Sequence, residues 1–376
     1  MEDEREIIER SSVVVEAVAW GLVGAIAMAG VEAAIKGEEG VGSALAAAII
    51  AAGVISTQRR AAASVARASS VMVESVADAN DSSWASDAFA SVGKQYGGWR
   101  NSASMGAVVR EVTRQTAQAQ AAVGTSDLLV RHWGGDLMPV GSWLRSVMDD
   151  AAQATSDGVP IADSTLKAVR AVMRQGGVSI RSGGRNHDIS GFVRQQAWDG
   201  SHKALQDLRY QVGKDVGWTA VQVSAHAFCA PDHVDYQGKV YSALEFQYIQ
   251  DHLERPLGMW NCRHLMTPCP DDASSVWSAD ERAMLRRESE REVTLTGLDG
   301  KERTMSRYEA SQWQRGMERG IRGTQVESQA ARKLGDRDMA AKLSERADYL
   351  TGALESGCAE AGLRLDPNRI KVGRLR

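Results

Sequence analysis

The chain has 376 residues, 43% hydrophobic and 24% charged, with a formal net charge of −4; together these exclude a disordered tail, a collagen-like repeat and a disulfide-stapled miniprotein. Its 44 Lys and Arg against 48 Asp and Glu exclude a whole-chain nucleic-acid binder, so any basic surface has to be local. With only four cysteines, and no basic segment ahead of an apolar stretch, synthesis in a reducing cytoplasm is the expectation.

More than a fifth of residues 1–130 are alanine and Pro139 is the first proline, so this region is predicted to be largely helical. It holds two uncharged runs. Residues 17–31 are too short to cross a bilayer. Residues 40–58 reach the length but are dominated by Ala and Gly. The second run is read as packed helix, because small residues let helices approach closely in an oligomer, with a bilayer contact as the alternative. Residues 60–120 continue as amphipathic helix with Arg60, Arg67, Arg110 and Arg114 on a solvated face. Trp84, Trp99, Trp133 and Trp143 are assigned to packing at helix junctions.

From residue 155 the texture changes. Leu166, Val169 and Val172 mark one side of a helix over residues 163–174, with Asp163 or Ser164 as N-cap and Gly176-Gly177 as its stop. A short strand at 178–180, a glycine turn at 182–185 and a long helix over 189–213 follow. A glycine turn ahead of a helix can hold phosphate, but this spacing fits neither nucleotide-binding fingerprint, and a plain turn is the reading.

Four of the seven histidines and three of the four cysteines fall between residues 226 and 269. Soft thiolates and imidazoles on two separated loops are what tetrahedral Zn²⁺ takes, and His226, Cys229, His233, Cys262 and His264 are the candidate ligands. If the segment is extended, Cys262 and His264 point to opposite faces, so both reach one ion only on a tight turn. A metal-free junction, in which His226 and His233 hydrogen-bond across buried loops, accounts for the same residues. A third reading takes His233, Asn261 and His264 as a metal-dependent nuclease centre, though no acidic ligand pair accompanies them.

These residues carry a resemblance. Ser224-Ala225-His226, Pro231-Asp232-His233, Tyr236-Gln237-Gly238-Lys239 with Tyr241-Ser242, and Asn261-Cys262-Arg263-His264 resemble, in order, the signature of the phage minor capsid protein (type 2) family. Residues 176–194 resemble its glycine-rich strand and following helix. Tyr308-Glu309, Gln312, Arg315 and Glu318 to Arg322 resemble its arginine helix. Where that family usually has Gly-Ala-Arg-Pro, this chain has Ala227-Phe228-Cys229-Ala230-Pro231, so a role resting on that arginine does not carry over. The family is similar to the Mu F-like head-morphogenesis proteins. The resemblance implies a low-copy component of a tailed-phage head, assisting head morphogenesis near the portal, present in the virion after synthesis in the bacterial cytoplasm. It implies oligomeric contacts with portal or major capsid protein and no reaction. A membrane-active DNA-ejection protein is the remaining alternative, and about 50 residues beyond the arginine helix leave no room for a toxin domain.

In the C-terminal arm, residues 293–304 read as a hairpin turning at Asp299-Gly300, and Ser306 with Glu309 as a capping box. Gln312, Arg315, Arg319 and Arg322 recur at spacings of three and four, a helix face suited to DNA phosphates or an acidic partner. If Arg315, Arg319 and Arg322 met phosphates, affinity would fall with salt at a log–log slope of about −0.9 per contact. Internal pairing of Arg315 or Arg322 with Glu318 is the alternative. Cys358 is read as a small core residue. The predicted fold class is α+β: an Ala-rich helical region over residues 1–150, for oligomer or portal contact, and a mixed α+β domain over 151–376.

Overall fold

The computed structural model describes residues 2–38, 43–133, 135–182, 184–259 and 262–372. Two long helices, α1 (Glu2–Glu38) and α2 (Ser43–Asn80), pack on each other, followed by short α3 (Ser86–Ser91) and α4 (Ala103–Val123). Strands β1 (Leu128–Arg131) and β2 (Leu137–Pro139) lead into α5 (Val140–Ser156) and α6 (Ile161–Met173). After these come β3 (Val178–Ser182), β4 (Arg185–Asp188) and the 28-residue α7 (Ile189–Val216). Antiparallel pairing gives a sheet ordered β2-β1-β3-β4, with Val130 opposite both Met138 and Val178. The fold is thus α+β with a helical N-terminal region.

The alanine content of the first helices has a packing consequence. Ala27, Ala33 and Ala34 of α1 and Ala47 and Ala62 of α2 are buried in one core with Trp143 and Leu144 of α5, Val169 of α6 and Ile180 of β3. Small side chains let the helix backbones come close, and Trp143, wholly buried, fills the space beside Gly30. This core draws side chains from both sides of residue 150. Of the second uncharged run, residues 40–42 lie outside the described residues; from Ser43 it is the start of α2, with Ala47, Ile50, Val54 and Gln58 buried. One stretch of α1, Ile7–Gly37, is long and apolar enough by length and composition to cross a membrane, and 56% of its most apolar window is buried inside the fold.

Several local expectations are met with shifted edges. The helix expected at 163–174 is α6, but it starts from Pro160; Asp163 lies in its first turn, and Ser164 donates to the Ile161 carbonyl instead of capping. The long helix runs to Val216 and stops at Gly217, whose φ of 85° suits glycine. Its N-terminus is capped by Asp188, whose carboxylate accepts from Gly191 N–H at 2.9 Å and Gly176 N–H at 2.8 Å, so an acid occupies the place a phosphate would take. Among the four tryptophans, Trp99 and Trp143 are buried and Trp84 sits edge-on to Trp218. Trp133 corrects the packing assignment: it is 55% exposed, and its indole N–H bonds Asp150 at the surface.

The second half adds β5 (Ala220–Val223), β6 (Val240–Tyr241), α8 (Ala243–His252) and β7 (Met266–Cys269), with β5 central in the order β6-β5-β7. Then come α9 (Ala279–Glu290), the hairpin β8 (Glu292–Thr296) and β9 (Glu302–Ser306), α10 (Arg307–Lys333) and α11 (Arg337–Ala361). The hairpin has Val293 opposite Met305 and turns at Gly300, whose φ is 72°. Cys358 is buried against Ile321, Leu350 and Leu354.

Candidate metal centre and arginine-lined cavity

The loop leaving β5 and the loop entering β7 are stapled together. Ser224 N–H donates to the Leu265 carbonyl at 2.8 Å, and Leu265 N–H donates to Ser224 Oγ at 2.9 Å. This pair sets His226 beside His264, with ring centroids 4.5 Å apart. His226 N–H donates to Oε1 of buried Gln237 at 3.1 Å, and the imidazole Nδ1 lies 2.8 Å from the Ala227 carbonyl, which can only accept. Phe228 then takes φ of 62°, a left-handed conformation uncommon for a bulky residue, with Arg307 stacked over its ring at 4.5 Å. The turn carries Cys229 into the interior, where its N–H donates to Ser289 Oγ.

His233 arrives from the next turn. Its Nε2 is 2.7 Å from the Arg255 carbonyl, so Nε2 carries the proton and Nδ1 keeps its lone pair. The Arg255 guanidinium is in turn held by Asp232, with N–O distances of 2.6 and 2.9 Å. His233 Nδ1 lies 3.4 Å from Cys262 Sγ. Cys262 is fixed from behind by the Trp198 indole N–H, which donates to its carbonyl at 3.0 Å. Cys262 and His264 converge instead of facing apart: His264 Nδ1 is 3.3 Å and the His264 backbone nitrogen, whose N–H donates to the sulfur, is 3.4 Å from Cys262 Sγ. His264 Nε2 is 3.6 Å from Cys229 Sγ.

All five residues are buried. Two triads place ligand atoms close enough to share an ion: His226, Cys229 and His264, and His233, Cys262 and His264. Burial lowers the His233 pKa, which keeps the imidazole neutral, pushes the Cys262 thiol up, and pushes Cys229 up to about 12. Asn261, the third residue of the nuclease reading, lies outside the described residues.

A cavity of about 920 Å³ opens beside this centre. His226, His233, Cys262 and His264 line it, as do Tyr308, Gln312 and Arg315 from α10, Glu9 from α1, and Arg369 near the C-terminus. The four residues of the arginine helix therefore part company. Gln312 and Arg315 reach this cavity, while Arg319 lines a separate crevice with Arg170, Arg174 and Arg346. Arg322, 4% exposed, turns inward to Glu16 at 3.2 Å, to the Arg369 carbonyl and to the face of Trp20. Glu318 pairs with Arg369 at 3.8 Å, and the Arg322 and Arg315 charges also act on its carboxylate, so the internal pairing takes in Arg369 besides the two arginines expected. Arg315 makes no hydrogen bond or ion pair among the described residues, and burial, with the cations Arg194, Arg263 and Arg369 around it, brings its pKa down to about 9.

Sequence reasoning left several cavity residues unassigned. Arg263 stands between two of the assigned ligands, a local signal that was available. Arg255 lies 22 residues after His233 and Glu9 and Arg369 lie 360 residues apart, and no spacing rule connects them to the cavity.

The profile described as Phage minor capsid protein 2 matches residues 85–355, well over half of the chain. The chain belongs to that family. It is accordingly a structural protein of the phage capsid, carried in the virion with other phage structural proteins. The matched span holds every residue of the His/Cys centre and the whole of α10. It also begins well upstream of residue 155, in α-helical sequence where no motif is recognisable, and leaves α1 and α2 outside. No curated protein and no solved structure matches the chain.

Proposed function

We propose that this protein is a low-copy component of a tailed-phage head that assists head morphogenesis from a position near the portal, touching portal or major capsid protein. The observation that carries this is the family match across residues 85–355, which covers the His/Cys centre and the helix that closes the cavity over it. The portal position rests on the likeness to Mu F-like head-morphogenesis proteins. Mass spectrometry of gradient-purified particles tests the copy number: the chain is expected far below the major capsid protein, and its absence from particles would overturn the reading. Labelling of the same particles at the N-terminus tests position, with signal expected at a single vertex.

Metal-dependent DNA cleavage is a second reading, favoured by one observation: His233 and His264 share the cavity wall with Arg263 and Arg315, cations that can hold a phosphate. It requires divalent-ion-dependent nicking of plasmid DNA that is lost in His264→Ala. Intact plasmid under Mg²⁺, Mn²⁺ and Zn²⁺ removes it.

A further inference from the structure

The triad of His233, Cys262 and His264 has the contacts a bound ion needs. With Zn–S near 2.3 Å and Zn–N near 2.0–2.1 Å in a tetrahedron, neighbouring sulfur and nitrogen ligands stand about 3.5 Å apart. Cys262 Sγ stands 3.4 Å from His233 Nδ1 and 3.3 Å from His264 Nδ1. The proton positions agree. His233 spends its Nε2–H on the Arg255 carbonyl, which leaves Nδ1 as the donor atom facing the sulfur. The His264 amide points at Cys262 Sγ, a hydrogen bond that stabilises a thiolate. If His264 ligates through Nδ1, its Nε2–H is left directed at Cys229 Sγ, 3.6 Å away. Cys229 then becomes the acceptor that orients the ring, the position a carbonyl or carboxylate takes behind many metal-bound histidines.

We propose that His233 Nδ1, Cys262 Sγ and His264 Nδ1 hold one Zn²⁺, with Cys229 orienting His264 rather than ligating. All three ligands line the 920 Å³ cavity, to which Cys229 contributes no wall, so the fourth coordination position opens toward the cavity. Three protein ligands with one open position is the arrangement that accepts water or an anion on zinc. Arg315, without an ion pair among the described residues, lines the same space. Two neutral imidazoles and a soft thiolate select Zn²⁺ over Mg²⁺ or Ca²⁺, which take oxygen ligands.

The test uses the purified full-length chain, its zinc content measured by mass spectrometry, and Co²⁺ exchanged into it. One equivalent of zinc per chain is expected, with a thiolate-to-cobalt charge-transfer band of the intensity given by one sulfur. Cys262→Ser should lose both. Cys229→Ala should keep the band unchanged while binding zinc about 10–100-fold more weakly, the effect of removing an outer-shell partner. A band of two-sulfur intensity would overturn the proposal. So would loss of the band in Cys229→Ala, or a wild-type chain that holds no zinc and takes up no cobalt. Should Cys262→Ser fail to fold by circular dichroism, the wild-type band intensity alone distinguishes one sulfur from two.

Discussion

Gly30 in α1 faces the wholly buried Trp143, and a Cβ built on it would overlap the indole ring. Because Trp143 is locked in the shared core, it cannot move aside cheaply, and Gly30→Ala is expected to lower stability by about 1–3 kcal/mol. Gly21, nine residues earlier on the same helix, has nothing within 4 Å of a built Cβ. Gly21→Ala should therefore raise stability by up to about 1 kcal/mol through helix propensity alone. Urea midpoints measure both, and equal shifts in the two variants would refute the packing account. At this scale burial was readable for Trp143 but not for Trp133, because the same side chain serves a core or a surface and only the tertiary environment decides. The His/Cys ligands were readable as a cluster. Their grouping was not, since it depends on how tightly residues 262–264 turn and on which nitrogen of His233 the Arg255 carbonyl claims.

Elements whose signals are local came through best. The hairpin of β8 and β9 and the capping box of α10 are encoded within a few residues of where they act, and Ser306 and Glu309 make the reciprocal bonds: Glu309 N–H to Ser306 Oγ at 3.2 Å, Ser306 N–H to Glu309 Oε2 at 2.8 Å. The sheet of β2, β1, β3 and β4 was not legible. β1 is four residues long and pairs with β3 about 50 residues later, and short strands carry too few alternations to mark a face. The capping box matters because α10 carries Gln312 and Arg315 to the cavity. Ser306→Ala should cost about 0.5–2 kcal/mol and fray the first turn, seen as faster amide exchange at Arg307 to Ala310. Hydrogen bonds from the Ser306 backbone and hydroxyl hold the Glu309 carboxyl below its ordinary 4.5. A folded pKa below the unfolded one gives a contribution that is complete above about 4.5 and is lost as pH falls through the folded value. Glu245 and Glu281 are lowered by the same contacts at the starts of α8 and α9. First-turn protection in all three helices should therefore drop together as pH falls below about 4.5, at exchange rates corrected for intrinsic pH dependence. Protection unchanged over that fall would sink the capping account.

Across the whole molecule, one carboxylate joins segments that are far apart in the chain. Glu16 of α1 lies 3.2 Å from Arg322 on α10 and 3.7 Å from Arg194 on α7, and the Arg322 guanidinium also donates to the carbonyl of Arg369. Burial lowers the pKa of both Arg194 and Arg322, with Glu16 opposing the shift in each. The cations thus depend on Glu16 to offset their desolvation. Its neighbours Arg369 and Glu9, 3.5 Å apart, bind the C-terminal segment to the same helix, and both residues line the cavity. Helix α1, which lies outside the family match, is in this way wired to the wall of the centre that the match contains. Glu16→Gln takes the strongest-acting anion from two buried guanidinium groups, leaving Glu318 for Arg322 and Glu9 for Arg194, so the expected loss is about 3–5 kcal/mol, larger than for a typical surface pair. Adding Arg322→Met removes one of the stranded charges and replaces it with an apolar side chain beside Trp20. The double variant should accordingly be less destabilised than the two single losses sum to, with a coupling of about 0.5–3 kcal/mol read from a denaturation cycle. Strict additivity would mean that Glu16 and Arg322 do not support one another, and that α1 is held to α10 by its apolar face alone.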